Sequence, residues 1–234
     1  MRASCVRLSA MVSVLGLVAT PAFAQMIGNP VYSNQSGGVG VTLDADYGRG
    51  LNNASGKTNY FGGRVTLGLP VVAITVGAGS AKPSGGASMT SFGGDVALAV
   101  VKGPMVPVKL ALQAGAAYTS NYLGTGANGW HVPVGAVLTF NARSSGASVA
   151  PWVAPRLDYT NVSRGGVSGH ATHVGASAGL NVSLPAGLGF HVALDYTYVK
   201  GAGGLSSSDL SPFVVGAGLH YAIKLPHLVP GTGM

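Results

Sequence analysis

The stretch Val39-Gly40-Val41-Thr42-Leu43-Asp44-Ala45-Asp46-Tyr47 sorts its residues by parity. Val39, Val41, Leu43, Ala45 and Tyr47 fall on one side, and Gly40, Thr42, Asp44 and Asp46 on the other. Successive side chains of a strand point to opposite faces, whereas a helical repeat would mix the two sets. The stretch therefore predicts a strand with an apolar medium on one face and a polar one on the other.

The same sorting recurs along the chain at 60–69, 72–78, 92–101, 108–118, 130–140, 149–159, 174–184, 188–198 and 213–223. That makes ten segments, most near the 9 to 11 residues with which a tilted strand crosses a bilayer. Longer Gly/Ser/Asn-rich stretches at 48–57, 79–90, 119–129, 160–173 and 200–211 predict loops at one end. Tight turns around Pro70, Lys102-Gly103-Pro104 and Pro185-Ala186-Gly187, with a longer one at 141–148, predict the other end.

Composition points to the same medium. The chain is 47% hydrophobic and 8% charged, with 38 glycines and no glutamate, against about a quarter charged residues in a soluble domain. So few charges do not cover a water-facing surface. Beyond the N-terminal segment, no run approaches the roughly 18 apolar residues of a membrane helix. A membrane then admits only a closed barrel, which leaves no backbone group unpaired. The expected fold is an all-β, closed, antiparallel up-and-down transmembrane barrel, ten-stranded with eight strands as the alternative.

At the N-terminus, Arg2 and Arg7 precede an apolar run from Leu8 to Val18, followed by Ala22-Phe23-Ala24 before Gln25. This is the pattern of a secretory signal peptide over 1–24, cleaved after Ala24, with the barrel domain over 25–234 and a short periplasmic tail over 224–234. Cleavage removes Cys5, the one cysteine of the chain, so no disulfide is expected.

Tyr47, Phe61, Phe92, Tyr118, Trp130, Tyr159, Tyr198 and Phe213 stand on the outward faces where strands meet the longer loops. They are read as an aromatic girdle at one membrane interface. Phe140, Phe190 and Tyr221 supply a thinner one below.

With these features the chain resembles the small outer-membrane β-barrel superfamily, which includes OmpA-like and OmpW-like barrels. The segment Val214-Val215-Gly216-Ala217-Gly218-Leu219-His220-Tyr221 looks like the assembly signal of such proteins, carried by Gly216, Leu219 and Tyr221. It departs from the pattern in starting on Val214 and in being followed by 224–234. The resemblance implies location in a bacterial outer membrane with both termini periplasmic. The implied partners are membrane lipid and lipopolysaccharide, together with the barrel-assembly machinery during insertion.

Inward-facing positions carry Asp44, Asp46, Asp95, Asp158 and Asp195 against Arg64, Lys109 and Arg156, with His173, His191 and His220. Two readings stand side by side: an ion-pair network filling a narrow barrel, or a polar pathway for a small solute, weakly cation-selective from its acidic excess. Asp95 and Asp195 have no cation near them in sequence, unlike Asp158. The many inward glycines either leave room for water or let strands coil into a tight barrel. An arginine is expected to be costly at Val96, facing lipid, and much less so at Ala97, facing the lumen.

Enzymatic chemistry finds little support. Asp44-Ala45-Asp46 matches the spacing of one acidic pair in the omptin family of ten-stranded outer-membrane proteases, but the Asp-x-His pair of that family is missing. A His/Ser/Glu site is excluded without glutamate. His170-Ala171-Thr172-His173 is read as part of a solvated loop, so neither metal nor cofactor is expected. Arg49, Lys57, Lys82, Arg164 and Lys200 are outer cations suited to lipopolysaccharide phosphates, and nothing suggests nucleic-acid binding. The expected function is that of a non-enzymatic outer-membrane barrel, either a narrow solute or ion channel or a structural protein. The alternatives are a surface interaction or adhesion protein acting through its loops and an omptin-like rim hydrolase.

Overall fold

The computed structural model describes residues 39–101, 108–122, 126–143, 146–200 and 209–225. The signal segment, the turn at Lys102-Gly103-Pro104, most of the stretch 200–211 and the tail beyond 225 lie outside the described residues. Ten long strands follow one another, each antiparallel to the next: β1 (Gly40–Gly50), β2 (Asn59–Gly68), β3 (Val72–Lys82), β4 (Met89–Val101), β5 (Val108–Tyr122) and β6 (Ala127–Phe140), then β8 (Ser148–Arg164), β9 (Val167–Ser183), β10 (Leu188–Tyr198) and β11 (Phe213–Lys224). A two-residue segment, β7 (Ala142–Arg143), pairs with the start of β8. The first and last of these strands pair from Gly40↔Lys224 to Gly50↔Val214, so the sheet closes on itself. The fold is the expected ten-stranded barrel.

Parity decides what each side chain meets. Val96 is 49% exposed on the outer face while its neighbour Ala97 is 2% exposed inside. Along β1, residues Thr42, Asp44 and Asp46 are buried between exposed Leu43, Ala45 and Tyr47. Closure removes every edge from the sheet, which satisfies the backbone without help from solvent.

The strands differ from expectation chiefly at the loop end. The stretch 160–173, expected as a loop, is a continuation of β8 and β9, paired as far as Arg164↔Val167. Gly165 (φ 56°) and Gly166 (φ 82°) make the whole connection. Positive φ at both central residues is what a two-residue type I′ hairpin demands, and glycine supplies it without a Cβ penalty. β5 and β6 likewise run to Tyr122 and from Ala127, into the stretch expected as a loop at 119–129. At the other end, β11 extends through Lys224, one residue into what was expected as tail.

Candidate functional site

The inward charges gather around two arginines. Arg64, on β2, lies opposite Asp44 of β1 in the register. Its Nε stands 3.2 Å from Asp46 Oδ2 and its guanidinium 3.5 Å from Asp44 Oδ1. His191, on β10, reaches the same group across β11, with Nε2 2.6 Å from Asp46 Oδ1. A carboxylate only accepts, so His191 Nε2 carries the proton of that bond.

Arg156, on β8, is tied more tightly. Its Nε donates to Asp158 Oδ2 at 2.9 Å, and its terminal nitrogens reach Asp195 Oδ2 at 2.7 Å, Ser177 Oγ at 2.8 Å and Thr197 Oγ1 at 2.9 Å. Ser177 Oγ in turn donates to Asp195 Oδ2 at 2.6 Å. Asp195, with no cation near it in sequence, thus finds one in space. The partner sits two strands away, 39 residues back, where no local pattern could reveal it. Asp95 accepts from Gln113 Nε2 at 2.7 Å. Lys109 borders a cavity of about 30 Å³ lined also by Gly68, Ala97 and Ala111.

Glycines seat these side chains. A Cβ on Gly175 would come within 2.9 Å of the Arg156 guanidinium carbon, and one on Gly179 within 2.5 Å of the Trp152 ring. Trp152 is buried and donates Nε1–H to Asn181 Oδ1 at 3.1 Å. At these positions, the room left by small residues is occupied by large inward side chains. Gly179→Ala is accordingly expected to cost about 1–3 kcal/mol as an overpacking change, because the methyl also meets the Val192 carbonyl oxygen at 2.6 Å, which is backbone and does not swing aside. Urea-refolding midpoints check this, and a midpoint equal to that of the unsubstituted protein would contradict the seating.

His170 and His173 lie on β9, not in a loop, and at i, i+3 on a strand they face opposite ways. His170 is exposed, with its ring 6.1 Å from that of Tyr159, while His173 is buried. They cannot share a metal. His131, which the sequence reading passed over, is fully buried with Nδ1 3.1 Å from Thr160 Oγ1. Its parity with Trp130 outside was the available signal. A different set, Asp44, His191 and His220, brings its ligand atoms within 4.8 Å of one another.

The upper aromatics stand in register rows. Tyr47 pairs with Phe61 across β1–β2, with ring centroids 5.0 Å apart. Phe92, Tyr118 and Trp130 form a continuous row over β4, β5 and β6 at 5.5 and 5.2 Å. Tyr159 is exposed on the outer face of β8, while Tyr198 and Phe213 are half-buried. Tyr198 donates its hydroxyl to Asp209 at 2.5 Å. In β11, Leu219 and Tyr221 are exposed on the outer face and Gly216 stands opposite Gly48 of β1.

No family model and no curated protein matches the sequence. Solved structures do. The β-domain of the Bordetella autotransporter BrkA aligns over 81% of this chain and 100% of its own at 13% identity, with a TM-score of 0.51. Neisserial surface protein A aligns over 78% and 96% at 12% identity with a TM-score of 0.42. The protease OmpT from Escherichia coli aligns over 79% and 94% at 11% identity with a TM-score of 0.43. At such identities the likeness is one of fold, and it agrees with the closed register and apolar outer face of this small antiparallel β-barrel.

Proposed function

We propose that this chain is a non-enzymatic bacterial outer-membrane protein with an interior sealed by ion pairs, serving as a structural membrane protein and not as a solute channel. The observation that carries this reading is the burial of the inward polar residues. Asp158 is 0% exposed, Thr160 and Thr197 1%, and Arg156 5%. Side chains lining a water-wide path would be accessible to water. Here four of the five inward acids are held by two arginines, and the charges that would select ions are spent on one another.

The same pairing supports a non-enzymatic reading. Asp44 and Asp46 lie in mid-strand, both buried against Arg64, and offer no free base at a rim. On this reading the loop end faces outward, the termini lie in the periplasm after cleavage behind Ala24, and the exposed Arg49 and Lys82 meet lipopolysaccharide phosphates. They share a register row through Asn59, next to the Tyr47–Phe61 pair. Planar-bilayer recordings of refolded protein test the central claim. No stepwise conductance is expected, and reproducible single-channel steps from well-folded protein would overturn it.

One observation favours a second reading, that of a surface interaction protein. β8 and β9 are 17 residues each, well beyond the 9 to 11 needed to cross a membrane. Their hairpin continues past Tyr159 and ends in the two-residue Gly165-Gly166 turn. Shortening this hairpin while leaving the barrel intact separates the readings, because only the second predicts loss of a surface phenotype.

A further inference from the structure

We infer that Asp44, His191 and His220 form a binding site for a divalent transition-metal ion of the zinc or copper kind, set across the seam where the barrel closes. The three residues come from β1, β10 and β11, and Asp44 and His220 are direct partners in the closing register. Their ligand atoms lie within 4.8 Å of one another, with His191 Nδ1 3.9 Å from Asp44 Oδ1. Two imidazoles and one carboxylate are a donor set that zinc accepts, at bonds of about 2.0–2.2 Å. Binding requires the three groups to close on one another by side-chain rotation.

The outer contacts favour the same reading. A metal-bound histidine gives its other ring N–H to a carboxylate or similar acceptor, which fixes the tautomer and aims the ligating nitrogen. His191 Nε2 does this to Asp46 Oδ1 at 2.6 Å, and His220 Nε2 stands 3.2 Å from Ser183 Oγ. Both Nδ1 atoms are left buried without a hydrogen-bond partner. An unpaired buried acceptor is costly, and here two such acceptors sit on stacked rings whose centroids are 5.9 Å apart, next to a buried carboxylate. The wall is cut to hold these rings. A Cβ on Gly218 would lie 2.4 Å from His191 Nε2, and one on Gly189 2.2 Å from His220 Nε2.

Arg64, 3.5 Å from Asp44 Oδ1, opposes the ion. Asp46 offsets that charge, so the site is tempered but not cancelled.

The test uses full-length protein, processed as in the cell and refolded in detergent, with Zn²⁺ or Cu²⁺ alone as probe, added either during or after refolding. One equivalent is expected to survive dialysis, and the Cu²⁺ electron paramagnetic resonance spectrum should carry superhyperfine coupling from two imidazole nitrogens. His191→Gln and His220→Asn are expected to weaken Zn²⁺ binding well over tenfold, and the milder Ser183→Ala by no more than about 10-fold, while His173→Asn leaves it unchanged. Failure to retain metal under either loading regime, coupling from fewer than two imidazoles, or equal retention by the His191 and His220 variants would each overturn the proposal. Because the spectrum is taken on unsubstituted protein, the test survives a variant that does not fold.

Discussion

Replacing Arg156 by methionine is expected to destabilise the barrel by about 3–5 kcal/mol, the cost of leaving buried carboxylates without their counter-charge. Asp158 and Asp195 would then face each other across β9, with Ser177 and Thr197 unable to neutralise them. The urea-refolding midpoint should fall accordingly. The triple change Arg156→Met, Asp158→Asn and Asp195→Asn should recover most of the loss, since removing a whole buried ion cluster is often close to neutral. A single substitution within about 0.5 kcal/mol of the unsubstituted protein would mean that water reaches the cluster, and the sealed interior would fall with it.

An arginine at Val96 is expected to cost about 2–4 kcal/mol, the penalty for a cation at the bilayer midplane on a barrel's lipid face. Val96 stands on the outer face between Ile74 and Ala114, two repeats of the pleat from the Phe92 level of the aromatic row. The inward neighbour change Ala97→Ser is expected to stay within about 1 kcal/mol. Equal costs for the two in a refolding titration into lipid vesicles would mean that the faces are assigned the wrong way round.

The faces themselves were legible because a membrane and a polar interior impose opposite demands at every second residue. Val96 and Ala97, or Leu43 and Asp44, announce their sides without any knowledge of their neighbours. Strand ends were less legible. Above the aromatic rows the outer face of β8 and β9 carries polar residues while the inner face buries Val162 against Tyr122 and Ala127, so Thr160 to His173 loses the apolar-out alternation and imitates a loop. The Gly165-Gly166 pair was the overlooked hairpin signal. Partner choice was least legible. Arg156 finds Asp195, and Asp44 finds both His191 and His220, through pairings between strands that sequence spacing does not encode. Alternation also read Ala97 as tolerant of arginine. It reports which way a side chain points but not how much room it finds, and at 2% exposure there is none.

The pairing of Gly40 with Lys224 has a consequence for how the molecule is made. Until β11 meets β1, any partly formed sheet presents two bare edges, each a template for another chain. The contact that removes them joins the strands farthest apart in sequence, so its loop-closure entropy is lost before any reward arrives, and folding is correspondingly slow. The nascent chain must therefore be kept from its own copies until its two outermost strands are together, and truncation inside β11 should yield aggregates in place of a smaller barrel.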